Sequence, residues 1–247
     1  MGIEILSTTQ LLQGVFSSIY VSIQIIVGLT IASKYVKYKK IEFLLIGIAW
    51  IGISIPWLPD VINFILIIAN QNPLTPELYL TIVNAFLPIF ILLWLYGFSN
   101  LLKIDVKKKQ RYIFLTIILS GIFELLFFSL LNINRRKFIG DEITPFQYQF
   151  SDFIGIYFII CMVFILITGS LFARESIKSG NKEIALKGKL LLIGFILFIT
   201  GAVIDSLFEE ITSETVIIAR SLLISSSIIF YMGFILPDWA KKIFLKQ

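Results

Sequence analysis

Residues 41–69 read IEFLLIGIAWIGISIPWLPDVINFILIIA, a run of 29 positions whose charges are Glu42 near its start and Asp60 well inside it. At about 1.5 Å per residue this run, as a helix, exceeds the roughly 30 Å hydrocarbon core of a bilayer. It reads as a transmembrane helix. Pro56 and Pro59 leave carbonyls of the preceding turn unpaired and kink it beside Asp60, in the segment Trp57-Leu58-Pro59-Asp60.

Working outward, six further stretches pass the same length test: Gln10–Ser33, Glu77–Leu102, Arg111–Leu131, Asp152–Phe172, Leu190–Phe208 and Val216–Leu236. The whole chain of 247 residues is 57% hydrophobic and 15% charged, with mean hydropathy +0.92. A soluble domain carries about 25% charge, so a water-soluble globule is excluded. The fold class is all-α: a polytopic, multi-pass membrane protein whose residues 1–247 form one seven-transmembrane helix bundle, with loops too short for a soluble output domain. Residues 237–247 alternate bulky apolar and cationic side chains after Pro237 and read as a short interfacial helix.

Orientation follows from Lys and Arg. Seventeen of the 21 cluster after the first, third, fifth and seventh spans. These are Lys34, Lys37, Lys39 and Lys40; Lys103, Lys107, Lys108, Lys109 and Arg111; Arg174, Lys178, Lys182, Lys187 and Lys189; and Lys241, Lys242 and Lys246. Loops on the other side hold Arg135, Arg136 and Lys137, beside the acids Asp205, Glu209, Glu210 and Glu214. The positive-inside rule then puts the N-terminus outside and the C-terminus in the cytoplasm, at the cell membrane. The net charge of +5 reads as topology and attraction to anionic membrane lipids, with no nucleic acid as partner.

The sequence holds no His and a single Cys, Cys161, which removes His-based metal sites, Ser-His-Asp and Cys-His catalysis and any internal disulfide. No catalytic residues, no metal and no enzyme activity are expected.

Polar residues inside a bilayer are costly and should face the bundle interior. Here they fall on helical stripes: Gln13, Ser17, Tyr20 and Gln24; Glu77, Thr81, Asn84 and Pro88; Thr116, Ser120 and Glu124; Trp57, Asp60 and Asn63; and Arg220, Ser227 and Tyr231, with Ser225 and Ser226 beside them. The ionisable members all lie in the outer half of their spans. The expected arrangement is an outward-facing polar pocket bounded by Gln24, Asp60, Asn84, Glu124, Tyr157 and Arg220, holding a small ligand, with Asp60, Glu124, Asp205 and Arg220 as an ion-pair network. One Arg cannot neutralise three acids, so the count favours a cationic or hydrogen-bonding amphiphile. The competing reading is a network that only fixes helix register.

Length, span number and short loops resemble microbial rhodopsins, whose retinal is held by a lysine in the seventh span. Val216–Leu236 contains no lysine, so no retinal Schiff base and no other cofactor is expected. The topology also resembles eukaryotic G-protein-coupled receptors, without their Asp-Arg-Tyr or Asn-Pro-x-x-Tyr. Arg220-Ser221-Leu222-Leu223 and Tyr231-Met232-Gly233-Phe234-Ile235-Leu236-Pro237-Asp238-Trp239 resemble the last span and exit of seven-helix sensor modules found before prokaryotic histidine kinases. That resemblance implies a receptor or sensor acting in signal transduction, with a separate cytoplasmic signalling partner or a second copy of the chain as homo-oligomer. Leu95-Tyr96-Gly97-Phe98 and Tyr231-Met232-Gly233-Phe234 faintly resemble each other, as in the 3+1+3 repeat of small sugar transporters, which makes a small-solute transporter or channel the alternative.

The charge asymmetry makes a direct prediction: a reporter fused after Gln247 is cytoplasmic and an epitope inserted in the Asn132–Gln149 loop is external. Both reporters on one side would remove the seven-span reading.

Overall fold

The computed structural model describes residues 4, 6–102, 104–132, 135–207 and 211–245. Lys103, Phe208, Glu209, Glu210, Lys246 and Gln247, which enter the charge and span readings above, lie outside the described residues. Seven helical segments are long and apolar enough to cross a membrane. They are Thr8–Tyr38 (α1), Ile41–Ile68, Pro76–Leu101, Val106–Leu130 (α6), Asp152–Ile177 (α7), Lys182–Ser206 and Ser213–Ile235 (α9). The protein is accordingly a multi-pass membrane protein.

Two of the seven are broken. The second is α2 (Ile41–Ile53), a 3₁₀ turn at Ile55–Trp57 and α3 (Leu58–Ile68). The third is α4 (Pro76–Asn84) followed by α5 (Leu87–Leu101). Proline near the start of each second half has no N–H to offer the preceding turn, and its ring excludes the carbonyl that would sit there. Pro56 and Pro59 signalled the first break. Pro88 causes the second, which counting spans alone passes over.

The sixth helix, α8 (Lys182–Leu207), and α6 both start earlier than the apolar runs. Their first turns carry the lysines themselves, whose stems lie along apolar surface while the ammonium stays in water. Each start has a side-chain cap: Asp105 Oδ1 accepts from Lys107 N and Lys108 N at 3.0 and 3.3 Å. Asn181 Oδ1 accepts from Glu183 N and Ile184 N at 2.9 and 3.2 Å, just after Gly180 takes a left-handed φ of 73°.

The all-helical expectation needs one correction. Between α6 and α7 the chain forms an antiparallel hairpin, β1 (Gly140–Thr144) paired with β2 (Gln147–Phe150). Phe146, Tyr148 and Phe150 alternate with Gln147 and Gln149, the period of a strand with one covered face. Phe146 and Tyr148 are indeed buried. The hairpin defines one end of the bundle; the lysine-rich helix ends define the other.

Packing differs between the two ends. Toward the basic end, Trp50 stacks on Phe230 with ring centroids 3.5 Å apart, and Trp94 lies 4.1 Å from Phe98 and 5.7 Å from Phe195, all five buried. Helices there touch through glycine. A Cβ on Gly28 of α1 would stand 2.6 Å from the Gly47 carbonyl of α2, and one on Gly188 of α8 would stand 2.6 Å from the Ala173 carbonyl of α7. Close backbone approach of this kind replaces the hydrophobic drive that lipid cannot supply between helices. By contrast α6 buries a single face, Ser120, Phe123 and Phe127, and exposes Phe114, Leu119 and Leu125.

Beyond the bundle, α10 (Asp238–Leu245) exposes Trp239, Ile243 and Phe244 while Lys241 Nζ reaches Glu183 Oε2 of α8 at 3.4 Å. It has the apolar and cationic faces of an interfacial helix.

Gly47→Ala should lower stability by about 1–3 kcal/mol through the forced separation of α1 and α2. Gly121→Ala, on the exposed side of α6 where an added Cβ meets nothing within 4 Å, should be neutral or gain up to about 1 kcal/mol from helix propensity. Unfolding in detergent distinguishes the two; a similar loss in both would show that the α1–α2 crossing is not tight.

Candidate functional site

The break at Ser54–Trp57 gives α3 an N-terminus of its own inside the bundle, and Asp60 sits in its first turn. Free N–H groups and the positive end of the helix dipole make that position favourable for a carboxylate. On α9, Arg220 faces it: Nη2 lies 3.2 Å from Asp60 Oδ2 and 3.3 Å from Asp205 Oδ1 of α8. One guanidinium nitrogen thus joins three helices. Both Arg220 and Asp60 are about 3% exposed.

The two carboxylates are further satisfied by neutral donors. Asp60 Oδ1 accepts from the Tyr79 hydroxyl of α4 at 2.9 Å, and its Oδ2 accepts from Ser17 Oγ of α1 at 3.1 Å. Asp205 Oδ2 accepts from Trp57 Nε1 at 2.7 Å. The Trp57 ring lies 5.7 Å from the guanidinium carbon and meets Tyr20 edge-on at 5.1 Å. Arg220 is the less satisfied partner: its Nε and Nη1 are buried and have no acceptor among the described residues.

Asp60, Asp205 and Arg220 form one end of a cavity of about 570 Å³, which lies between this network and the hairpin. Phe146, Gln147 and Tyr148 of the hairpin cover it, Phe158 and Met162 of α7 and Phe198 of α8 are among its apolar walls, and Cys161 is on its lining. The volume falls within the range of small-molecule sites.

The hairpin is fastened over this space at several points. Gln13 Nε2 of α1 donates to Phe146 O at 3.4 Å, and Asn63 Nδ2 of α3 donates to Pro145 O. Asn63 Oδ1 in turn accepts from Leu74 N at 2.7 Å, so one side chain ties α3, the following loop and the hairpin together. Tyr79 and Tyr148 stack at 4.1 Å. Burial, then the Glu142 carboxylate beside it, raises the pKa of the Tyr148 phenol, so it stays a neutral donor. On the rim, Arg136 Nη1 pairs with Glu77 Oε1 at 2.6 Å, half exposed.

Of the residues expected from the sequence, Asp60 and Arg220 line the cavity, joined by Asp205. The other four stand apart from it. Gln24 is fully buried toward the basic end, donating to the Tyr20 hydroxyl at 2.8 Å. Asn84, at the end of α4, donates to Leu80 O of its own helix at 2.8 Å. Tyr157 turns to α6 and stacks on Phe123 at 3.7 Å. Glu124 also belongs to α6; it is half-buried, and among the described residues it forms no ion pair and its Oε2 has no partner. It is therefore outside the Asp60–Arg220–Asp205 network, because α6 packs at the bundle periphery.

The residues the pocket expectation omitted are Tyr79, Trp57, Ser17 and the hairpin. Ser17 and Trp57 already lie on the polar stripes, and the alternation at 146–150 marks the strand. Tyr79 carries no such signal, since Tyr on a span is as often an interfacial anchor as a buried donor. No protein family, curated protein or solved structure matches the chain. Among the described residues no group of three His, Cys, Asp or Glu could hold a metal ion.

Arg220→Leu strands the buried carboxylate of Asp60 and the half-buried one of Asp205 and should cost about 3–5 kcal/mol. Arg135→Leu, on the exposed loop, should stay within about 0.5 kcal/mol of the parent. Thermal unfolding of both variants in detergent makes the comparison; equal midpoints would mean the neutral donors alone hold Asp60 and Asp205.

Proposed function

We propose that the protein is a receptor- or sensor-like membrane protein: a small extracellular or lipid-phase ligand enters the cavity beneath the hairpin, and the response passes to a separate cytoplasmic partner or a second copy of the chain. The observation that carries this reading is the contrast between the two halves of the bundle. The hairpin half holds a 570 Å³ cavity ending on Arg220, while the other half is closed by Trp50 stacked on Phe230 and by Phe195 meeting Trp94 edge-on. A chamber with one closed end suits recognition better than conduction. The positive-inside argument adds that the hairpin end faces outward.

The break between α2 and α3 supplies a way to transmit occupancy. Asp60 lies on α3, just past the 3₁₀ turn, and α2 runs from there to the basic first loop. A ligand that changes the Asp60–Arg220 contact biases the angle at Ser54–Trp57, and α2 carries that change to a cationic surface. The transmission requires that the ligand bind one setting of the break more tightly than the other.

Cys161 is the natural reporter, being the single cysteine of the sequence and on the cavity lining. In liposomes of uniform orientation, an impermeant methanethiosulfonate added on the hairpin side should modify it, with Cys161→Ser as the blank, and the same reagent on the basic side should not. Modification from both sides would overturn the receptor reading in favour of transport, and modification from neither would show a chamber closed to the outside.

A further inference from the structure

The same cavity narrows the chemistry of its occupant, on the premise that it is a binding chamber. Counting charges alone favours a cation, because two carboxylates face one guanidinium. Counting donors and acceptors gives a different answer. Three of the four carboxylate oxygens of Asp60 and Asp205 accept a hydrogen bond, from Tyr79, Ser17, Trp57 or Arg220, and Asp205 Oδ1 lies 3.3 Å from Arg220 Nη2 as an ion pair. A bare cation would have to compete with these donors for the lone pairs that remain. Arg220 is 97% buried, forms part of the cavity wall, and holds two N–H-bearing nitrogens with no acceptor among the described residues. What the site lacks is an acceptor.

That acceptor is not an anion. With both carboxylates ionised the three groups sum to one negative charge, and a further carboxylate or phosphate would add a second in a region of low dielectric. A neutral oxygen fills the vacant donors without that cost. The rest of the wall is apolar, with Phe146 from the hairpin, Phe158 and Met162 from α7 and Phe198 from α8. It also opens sideways. Ile159 of α7 lines the cavity yet is 55% exposed, and a Cβ on the neighbouring Gly155 would meet no atom within 4 Å. The tight α7–α8 contacts, at Gly169 on Phe195 and Gly188 on Ala173, belong to the basic half.

We infer that the ligand is an uncharged, carbonyl-bearing amphiphile that enters from the lipid phase past Gly155 and Ile159 and presents its carbonyl oxygen to Arg220. Its acyl or alkyl body lies along α7 under the hairpin. Asp60 and Asp205 hold the guanidinium in place and do not touch the ligand.

Native mass spectrometry of the full chain released from maltoside micelles tests this with probes of matched tail: N-methyldodecanamide, dodecyltrimethylammonium, dodecanoate and tridecane. The amide should bind one per chain and at least tenfold more tightly than the other three. Arg220→Lys keeps a cation for Asp60 and Asp205 but removes Nε and Nη1, and should weaken the amide about tenfold. Gly155→Phe, whose Cβ would meet no atom within 4 Å and whose ring would stand at the cavity lining, should abolish binding of every probe. If the cation or the anion binds as well as the amide, or tridecane equals it, the carbonyl assignment is wrong while the chamber stands, and water completes Arg220. The wild-type comparison decides this even if the lysine variant fails to fold. If no probe binds, or binding survives Gly155→Phe, the chamber reading itself is lost.

Discussion

A guanidinium placed among apolar helices has to be neutralised and hydrogen-bonded where it stands, and in this bundle Arg220 meets that requirement by drawing five helices together. Asp60 comes from α3 and Asp205 from α8, and the Asp60 carboxylate also brings in Ser17 of α1 on Oδ2 and Tyr79 of α4 on Oδ1. In a bilayer the apolar faces of helices gain nothing by leaving lipid, so polar contacts and close backbone packing must supply the specificity of assembly. Division of labour follows. Glycine contacts and stacked aromatics set the basic half, whereas the hairpin half is spaced by one ion-pair network and the side chains that complete it. A cavity can persist only in the second kind of packing, because its walls are held apart by directional contacts and by a hairpin fastened from above.

Broken helices serve this arrangement. A continuous second span would place Asp60 in a helix interior, where every backbone N–H is already committed to an i−4 carbonyl. Ending α2 at Ile53 and restarting at Leu58 gives the carboxylate a helix start instead, with a favourable dipole. The prolines cannot themselves donate, so the break costs fewer hydrogen bonds than it would with other residues. The second break, before Leu87, lies in the neighbouring span and ends α4 soon after Tyr79, the residue that reaches Asp60. Flexibility need not be invoked for either break; each follows from proline at a defined position.

Much of this was legible in the sequence because the bilayer imposes simple rules. Length and hydropathy give seven spans, and 3.6-residue spacing gives the inward face of each. Gln13, Ser17, Tyr20 and Gln24 are all buried as their spacing requires. What spacing cannot give is how far each helix stands from the bundle axis. Glu124 shares the depth of Asp60 and faces inward, yet α6 is a peripheral helix, so it meets neither Arg220 nor the cavity. Tyr157 fails for the same reason, on the side of α7 that packs against Phe123. Asn84 and Gln24 fail differently: both are buried, but each donates along its own helix to a partner four residues back. The hairpin was written plainly in the alternation of 146–150, but a segment between two spans invites reading as mere connection.

The net charge of a buried cluster and its hydrogen-bonding capacity are separate quantities, and the Arg220 site shows them pointing opposite ways. Two acids against one base suggest a hole for a cation. Neutral donors narrow that hole: a tyrosine, a serine and an indole occupy some of the lone pairs that would otherwise attract one, without changing the charge sum. The guanidinium then has surplus donors despite being outnumbered, since its planar fork offers five N–H groups and the acids occupy a single nitrogen of it. A lysine in its place would balance the charge equally well and leave no such surplus. Choice of arginine at position 220 thus does more than neutralise Asp60 and Asp205. It leaves two buried nitrogens with unfilled N–H donors on a residue that lines the chamber, and the identity of whatever completes them is set by hydrogen bonding first and by charge second.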